Sequence, residues 1–334
     1  MSVANVDPEL QPVLDGFLTR GPDYSPERLP LLRDGMAALL ASTPPHRPTS
    51  VVVEDVTVPG PAGAPGVVLR IYRPSAMDSP VPALYWMHGG GMIVGSYAMD
   101  DALLVRAVER LGLAAVSVDY RLAPEHPDPA PIEDCFAGLT WLAANAASRG
   151  IDPERIAVGG ISAGGGLAAG LALLARDRGG PAIVFQLLLE PMLDDRARTA
   201  SSTAYDASVV WTRVDNDHGW NALLGDRRGG DDVSCYAAPA RASNLGGLPA
   251  AYVDVGEIET FRDECIDYGQ RLMEAGVSTE LHVHRGAFHG FDVMAPDSSV
   301  GRQAWDLRWG AVARVLDLSS ESWPRGQAPP EQKS

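Results

Sequence analysis

Ser162 is flanked by small residues, Gly160-Ile161-Ser162-Ala163-Gly164, between an apolar strand-like run (Arg155 to Val158) and an Ala/Leu-rich stretch that reads as a helix. A serine on so sharp a strand-to-helix turn is held in a strained backbone conformation. Only glycine-sized neighbours let strand and helix pass that close to it. The helix N-terminus adds a partial positive field where an alkoxide or oxyanion would form. Upstream, the apolar run Ala83-Leu84-Tyr85-Trp86-Met87 enters His88-Gly89-Gly90-Gly91. Three glycines after a buried strand are entropically costly, and they make sense if the loop turns bare N–H groups toward a developing negative charge. The donors of such an oxyanion hole are Gly90, Gly91 and Ala163, with His88 orienting the loop rather than acting as a base. The chemistry these groups could do together is nucleophilic acyl transfer.

A general base must come later in the chain, because the order on such a scaffold is serine, acid, histidine. Of the seven histidines, His46, His88 and His126 precede the serine, and His218 falls in a polar stretch. His282 and His284 alternate on a strand-like run and share one face. With no third ligand nearby, they read as strand-surface residues rather than as a metal site. His289 remains, in Gly286-Ala287-Phe288-His289-Gly290-Phe291, just beyond that strand. The acid belongs on the loop after the strand-like run Ala250 to Val255. Glu259 fits best, Asp263 and Glu257 are the alternatives, and Asp254 lies within the strand.

These residues resemble the bacterial hormone-sensitive-lipase-type esterases (family IV carboxylesterases) of the α/β-hydrolase fold. Four blocks match in order: His88-Gly-Gly-Gly91, Asp119-Tyr-Arg-Leu-Ala-Pro-Glu-His126, Gly160-Ile-Ser-Ala-Gly-Gly165 and Phe288-His-Gly-Phe291, within a matching region of about residues 50 to 317. Two departures stand out. The family elbow has Asp or Thr where this chain has Ile161. The family acid opens an Asp-Pro-Leu-Arg-Asp-Glu string that here reads Glu259-Thr-Phe-Arg-Asp-Glu264. The resemblance implies a serine esterase for short- to medium-chain or aryl esters. It would work through an acyl-enzyme on Ser162, with His289 as base and Glu259 as acid, and with no metal or organic cofactor. It also implies an eight-stranded sheet and a cap over the site.

Composition narrows the alternatives. A chain of 334 residues with 46% apolar residues can bury the core of one large α/β domain. The formal charge of −16 disfavours nucleic acid and anionic membrane surfaces as partners. The 27 basic residues include a single lysine, Lys333, in the polar tail, which argues against a Ser-Lys dyad, a P-loop lysine or a Schiff-base lysine. Cys135, Cys235 and Cys265 are widely spaced and read as reduced thiols. With no signal-like N-terminus and no apolar run of spanning length, the expectation is a soluble cytoplasmic protein.

Helical spacing covers 8–20 and 26–42, and a hairpin-like pair covers 51–58 and 67–73. Further strands are expected near 83–87, 113–118, 155–159, 182–189, 250–255 and 279–284. Their alternation with helices predicts a mostly parallel sheet covered on both faces. Residues 1–45 read as an N-terminal helical cap segment and 46–318 as the α/β-hydrolase domain. The stretch 195–230, with Trp211 and Trp220, reads as a cap insertion, and 319–334 as a disordered tail. An exposed edge strand near 279–284 admits a homodimer.

Two other readings compete. A non-catalytic small-molecule receptor on the same fold would not need both Ser162 and His289, which are present. A dinucleotide loop at Gly164-Gly165-Gly166-Leu167-Ala168-Ala169 fits the G-x-G-x-x-A spacing, but it begins past the elbow and does not follow the first strand of a βαβ unit.

Overall fold

The structure, a computed structural model, describes residues 5–42, 47–205 and 209–318. The tail expected at 319–334, with Lys333, and His46 lie outside the described residues. Eight strands form one sheet: β1 (Val51–Val58), β2 (Val67–Pro74), β3 (Val81–Met87), β4 (Ala114–Asp119), β5 (Ile151–Ile161), β6 (Phe185–Leu189), β7 (Ala250–Ile258) and β8 (Thr279–Phe288). Their order is β1-β2-β4-β3-β5-β6-β7-β8. The opening β1–β2 hairpin and the β2–β4 pair are antiparallel, and every later pairing is parallel. This is the mostly parallel architecture that the strand–helix alternation implied.

The helices are α1 (Gln11–Arg20), α2 (Leu29–Ser42), α3 (Asp101–Leu111), α4 (Ala130–Asn145), α5 (Ala163–Arg178), α6 (Ala200–Ala204), α7 (Arg213–Leu224), α8 (Arg262–Glu274), α9 (Phe291–Met294) and α10 (Ser299–Val315). Alternate side chains of each strand face opposite ways, so the central strands must be apolar on both faces. Tyr85 and Met87 of β3 pack with α4, α5 and α8, through Leu139, Leu171, Leu174 and Leu272. Leu84 and Trp86 pack on the other face with α3 and α10, through Leu104, Val108, Trp309 and Val312. No helix among the described residues is long and apolar enough to cross a membrane.

Two strands run further than their hydrophobic pattern suggests. β7 continues past Val255 to Ile258, and β8 past His284 to Phe288, because Ile258 pairs with Phe288 beyond a register shift. The extension carries Glu259 and His289 to adjacent strand ends. β8 forms one edge of the sheet, as expected for the 279–284 segment.

A fully buried Arg308 from α10 sits beneath these strand ends. It donates to both oxygens of Asp254, through Nε at 2.7 Å and Nη2 at 3.2 Å, and also bonds Asp292 of α9. His284 Nε2 lies 3.1 Å from Asp254. His284 is therefore a buried partner of Asp254 rather than a strand-surface residue, whereas His282 is half-buried and stacks on Tyr252. Burial opposes charge on Asp254, but Arg308 and then His284 outweigh it and hold the carboxyl below its ordinary range.

Candidate active site

Ser162 stands between the end of β5 and the start of α5 with φ +59° and ψ −121°, a conformation that side chains other than glycine rarely adopt. The turn is fixed by its backbone: Ser162 N–H donates to Leu189 O at 2.8 Å, and Ser162 O accepts from Met192 N–H at 3.0 Å. The flanking glycines are required by close approach. A Cβ on Gly164 would lie 2.0 Å from Met87 O, and one on Gly160 would lie 2.4 Å from the carbonyl of Gly164. β3, β5 and α5 therefore converge on the serine at backbone contact distance.

His289 follows the last residue of β8 and points Nε2 at Ser162 Oγ, 2.9 Å away. Its Nδ1 lies 3.2 Å from Glu259 Oε1, and Gly256 N–H donates to the other Glu259 oxygen at 2.9 Å. Phe261 meets the imidazole edge-on at 5.2 Å. The two alternative acids are engaged elsewhere. Asp263 pairs with Arg262 and accepts from Ser201 N–H, while Glu257 accepts from Gly286 N–H. Ser162, Glu259 and His289 are all buried, and Glu259 is fully so.

The loop after β3 packs against the elbow. A Cβ on Gly89 would stand 3.1 Å from Ile161 O and 3.5 Å from Ser162 Cβ. Gly90 and Gly91 take φ +113° and +61°, conformations open to glycine. Both border the same cavity as Ser162 and His289, while Ala163 opens α5 directly behind the serine. His88 is buried under this loop, with Nδ1 2.7 Å from Gly89 O and its ring stacked on Tyr120 at 4.2 Å. Burial pushes the His88 pKa down to about 4, so the ring is neutral and donates Nδ1–H to that carbonyl.

Tyr120 OH donates to His88 O at 2.8 Å, Ala123 N–H donates to Met92 O, and Arg121 grips Asp134 through two side-chain nitrogens. The segment 119–126, for which composition offers no chemical reason, thus buttresses the glycine loop.

The cavity measures about 160 Å³. Tyr24 and Met36 from the N-terminal segment, Val210 and Trp211 from the 195–230 stretch, and Ile161 all line it. Trp211 meets Tyr24 edge-on at 4.9 Å, whereas Trp220 is fully buried in the main core. Of the two tryptophans in this stretch, Trp211 lines the cavity and Trp220 does not. Ile161 borders the cavity and also belongs to the apolar cluster on the α3–α10 face of the sheet. A larger groove of about 660 Å³ between α3 and α10 holds no serine, cysteine or histidine.

Asp100 also lines the cavity, its Oδ2 accepting from Trp86 Nε1–H at 2.7 Å, and burial pushes its pKa up to about 6. An acid whose pKa is raised on folding contributes stability that is complete below its unfolded value and lost as pH rises through the folded one. Asp100→Asn keeps an acceptor for Trp86 and removes the charge. Denaturant titrations should show little difference from wild type at pH 4 and a gain of about 3 kcal/mol at pH 7.5.

Sequence reasoning missed Glu190. This buried residue follows β6, its Oε2 accepts from Gly290 N–H at 2.6 Å, and that oxygen lies 3.3 Å from His289 Nδ1. The available signal was an acid at the carboxyl end of a mostly apolar strand.

Residues 84–293 match a family model described as the alpha/beta hydrolase fold. The chain belongs to the α/β-hydrolase family, on its hormone-sensitive-lipase-type branch of carboxylesterases. Among similar proteins, this α/β-hydrolase is 36% identical to "Carboxylesterase NlhH" of Mycobacterium tuberculosis, over 93% of this chain and 97% of that one. It is 38% identical to "Esterase LipI" of the same species, over 84% and 88%. A solved structure named "Bacterial Heroin Esterase" superposes with TM-score 0.88 at 40% identity, covering 93% of this chain and 98% of that one. Esterase LipW from Mycobacterium marinum superposes with TM-score 0.81 at 38% identity, covering 93% and 96%.

Proposed function

We propose that the protein hydrolyses small carboxyl esters in two acyl-transfer steps on Ser162. The observation that carries this reading is the 2.9 Å contact between Ser162 Oγ and His289 Nε2 at a backbone turn with φ +59°. His289 removes the hydroxyl proton as Oγ attacks the ester carbonyl, and Glu259 orients the imidazole and balances its charge. The N–H groups of Gly90, Gly91 and Ala163 stabilise the oxyanion. His289 then protonates the leaving alcohol, and water repeats the sequence to release the acid.

The cavity supports a short acyl group, since its volume of about 160 Å³ falls below the roughly 300–1,000 Å³ of sites for drug-sized ligands. One structural neighbour is named for heroin, an acetyl ester, which agrees with that size. The N-terminal segment and the 195–230 stretch act as a cap, because both contribute to the cavity wall. The free cysteines are consistent with a reducing cytoplasm. The edge strand β8 is where a second copy would pair.

Turnover of p-nitrophenyl esters from acetate to decanoate tests this reading, together with labelling by a fluorophosphonate. The wild type should prefer acetate to butyrate and take the label, which Ser162→Ala should refuse. A wild type that binds esters without turning them over would instead be a receptor.

A further inference from the structure

We propose that Glu190 is a second carboxyl partner of His289, a positioning residue that accepts the Nδ1 proton contact when Glu259 cannot carry charge. The inference rests on the reading of Ser162, His289 and Glu259 as the reacting set.

Glu190 sits at the carboxyl end of β6, the strand between those that lead to Ser162 and Glu259. Its backbone is pinned on both sides. Leu189 O accepts from Ser162 N–H, and Glu190 N–H donates to Asp254 O, each at 2.8 Å. The residue takes φ +47°, a cost that side chains bear where surrounding contacts enforce it. The result places Glu190 Oε2 3.3 Å from His289 Nδ1, against 3.2 Å for Glu259 Oε1. Two acids reach the same ring nitrogen from different strands at nearly equal distance.

Two carboxylates so placed cannot both ionise cheaply, so the pair carries one charge. The surroundings decide which member holds it. Facing Glu190 are Glu259 and Asp254 from β7 and the loop after it, His289 beyond β8, Asp292 of α9, Arg308 of α10 and Cys265 of α8. Burial first, then repulsion from Glu259, holds the Glu190 pKa well above the carboxylate range, and Arg308 only partly offsets this. Glu190 Oε1 is buried without a hydrogen-bond partner among the described residues, a smaller penalty for a neutral acid than for an anion. Glu190 is therefore the member that holds a proton. Removing the Glu259 charge takes away the largest electrostatic repulsion on Glu190; burial still opposes the anion, and a charged imidazole with Nδ1 3.3 Å from Oε2 is the group placed to offset it.

A purely structural Glu190 would only anchor Gly290, and glutamine would do that equally well. The two roles separate in pH profiles of kcat/KM for p-nitrophenyl acetate, measured for wild type, Glu190→Gln, Glu259→Gln and the double variant. In Glu259→Gln the Gly256 N–H retains the amide oxygen and turns the NH₂ toward Nδ1. Without a second acid this forces the wrong tautomer, at a loss of about 10⁴. With Glu190 present the expected loss is about 10–100-fold, and the double variant falls by about 10⁴. The acid limb of Glu259→Gln should move to higher pH, because a buried acid must now ionise. Glu190→Gln alone should stay within about tenfold of wild type with its limb in place.

A loss of 10⁴ in Glu259→Gln alone, or a double variant no worse than Glu259→Gln, overturns the proposal. Nitrogen NMR of histidine-labelled Glu259→Gln gives a reading that needs neither turnover nor the double variant. An Nδ1–H retained in a low-field hydrogen bond supports Glu190, and its absence refutes it. Ester turnover that survives Ser162→Ala would instead defeat the underlying reading, while leaving the NMR result on Glu190 intact.

Discussion

Replacing Ser162 by alanine lowers kcat for p-nitrophenyl acetate by about 10⁶, and His289→Ala does nearly the same. Nucleophile and base act as one unit: with the imidazole 2.9 Å from the hydroxyl, neither accomplishes the attack without the other. The double variant should therefore be no slower than either single one, and steady-state kinetics on all three checks this. Independent losses that multiplied would mean that Ser162 and His289 serve separate steps. Thermal midpoints should move little for Ser162→Ala, since only a buried oxygen is removed from a strained turn.

The second large effect is Gly90→Ala. A Cβ there would stand 2.2 Å from the backbone oxygen of Val94, in a residue at φ +113°. Backbone cannot yield as a flexible side chain does, so the loop must shift and carry its N–H groups away from the developing oxyanion. Each donor lost costs about 10²–10³ in kcat, so a fall of about 10³ or more is expected with KM little changed. Gly112→Ala is the control. It shares a positive φ of +65° but meets nothing within 4 Å, and it should cost about 1 kcal/mol of stability with kcat untouched. Equal kcat losses in both variants would show that backbone strain, not displaced donors, sets the effect.

Much of this arrangement is legible in the chain because close backbone approach demands glycine. Gly160, Gly164 and the His88–Gly91 run mark the elbow and its facing loop through steric need alone. Glu259 is harder to place among three acids, since the apolar run before it ends at Val255 while the strand continues to Ile258. The final residues of β7 and β8 owe their form to pairing with each other, a long-range term that local periodicity does not encode. Glu190 was hard to single out for a related reason: its place at the end of an apolar strand does not tell a buried acid from a loop acid until β6 is seated beside the histidine. The segment 119–126 stood out only as a string, because its contacts run to His88 and Met92, remote in sequence.

Arg308 reaches the floor of the site from α10, the last helix described, and meets carboxyls contributed by two other segments. A protease that clipped this helix away would strip the counter-ion from under the acids while sparing every group that meets the ester. Hydrolysis would then stop from below, with Asp292 stripped of its ion pair and Asp254 left with His284 alone.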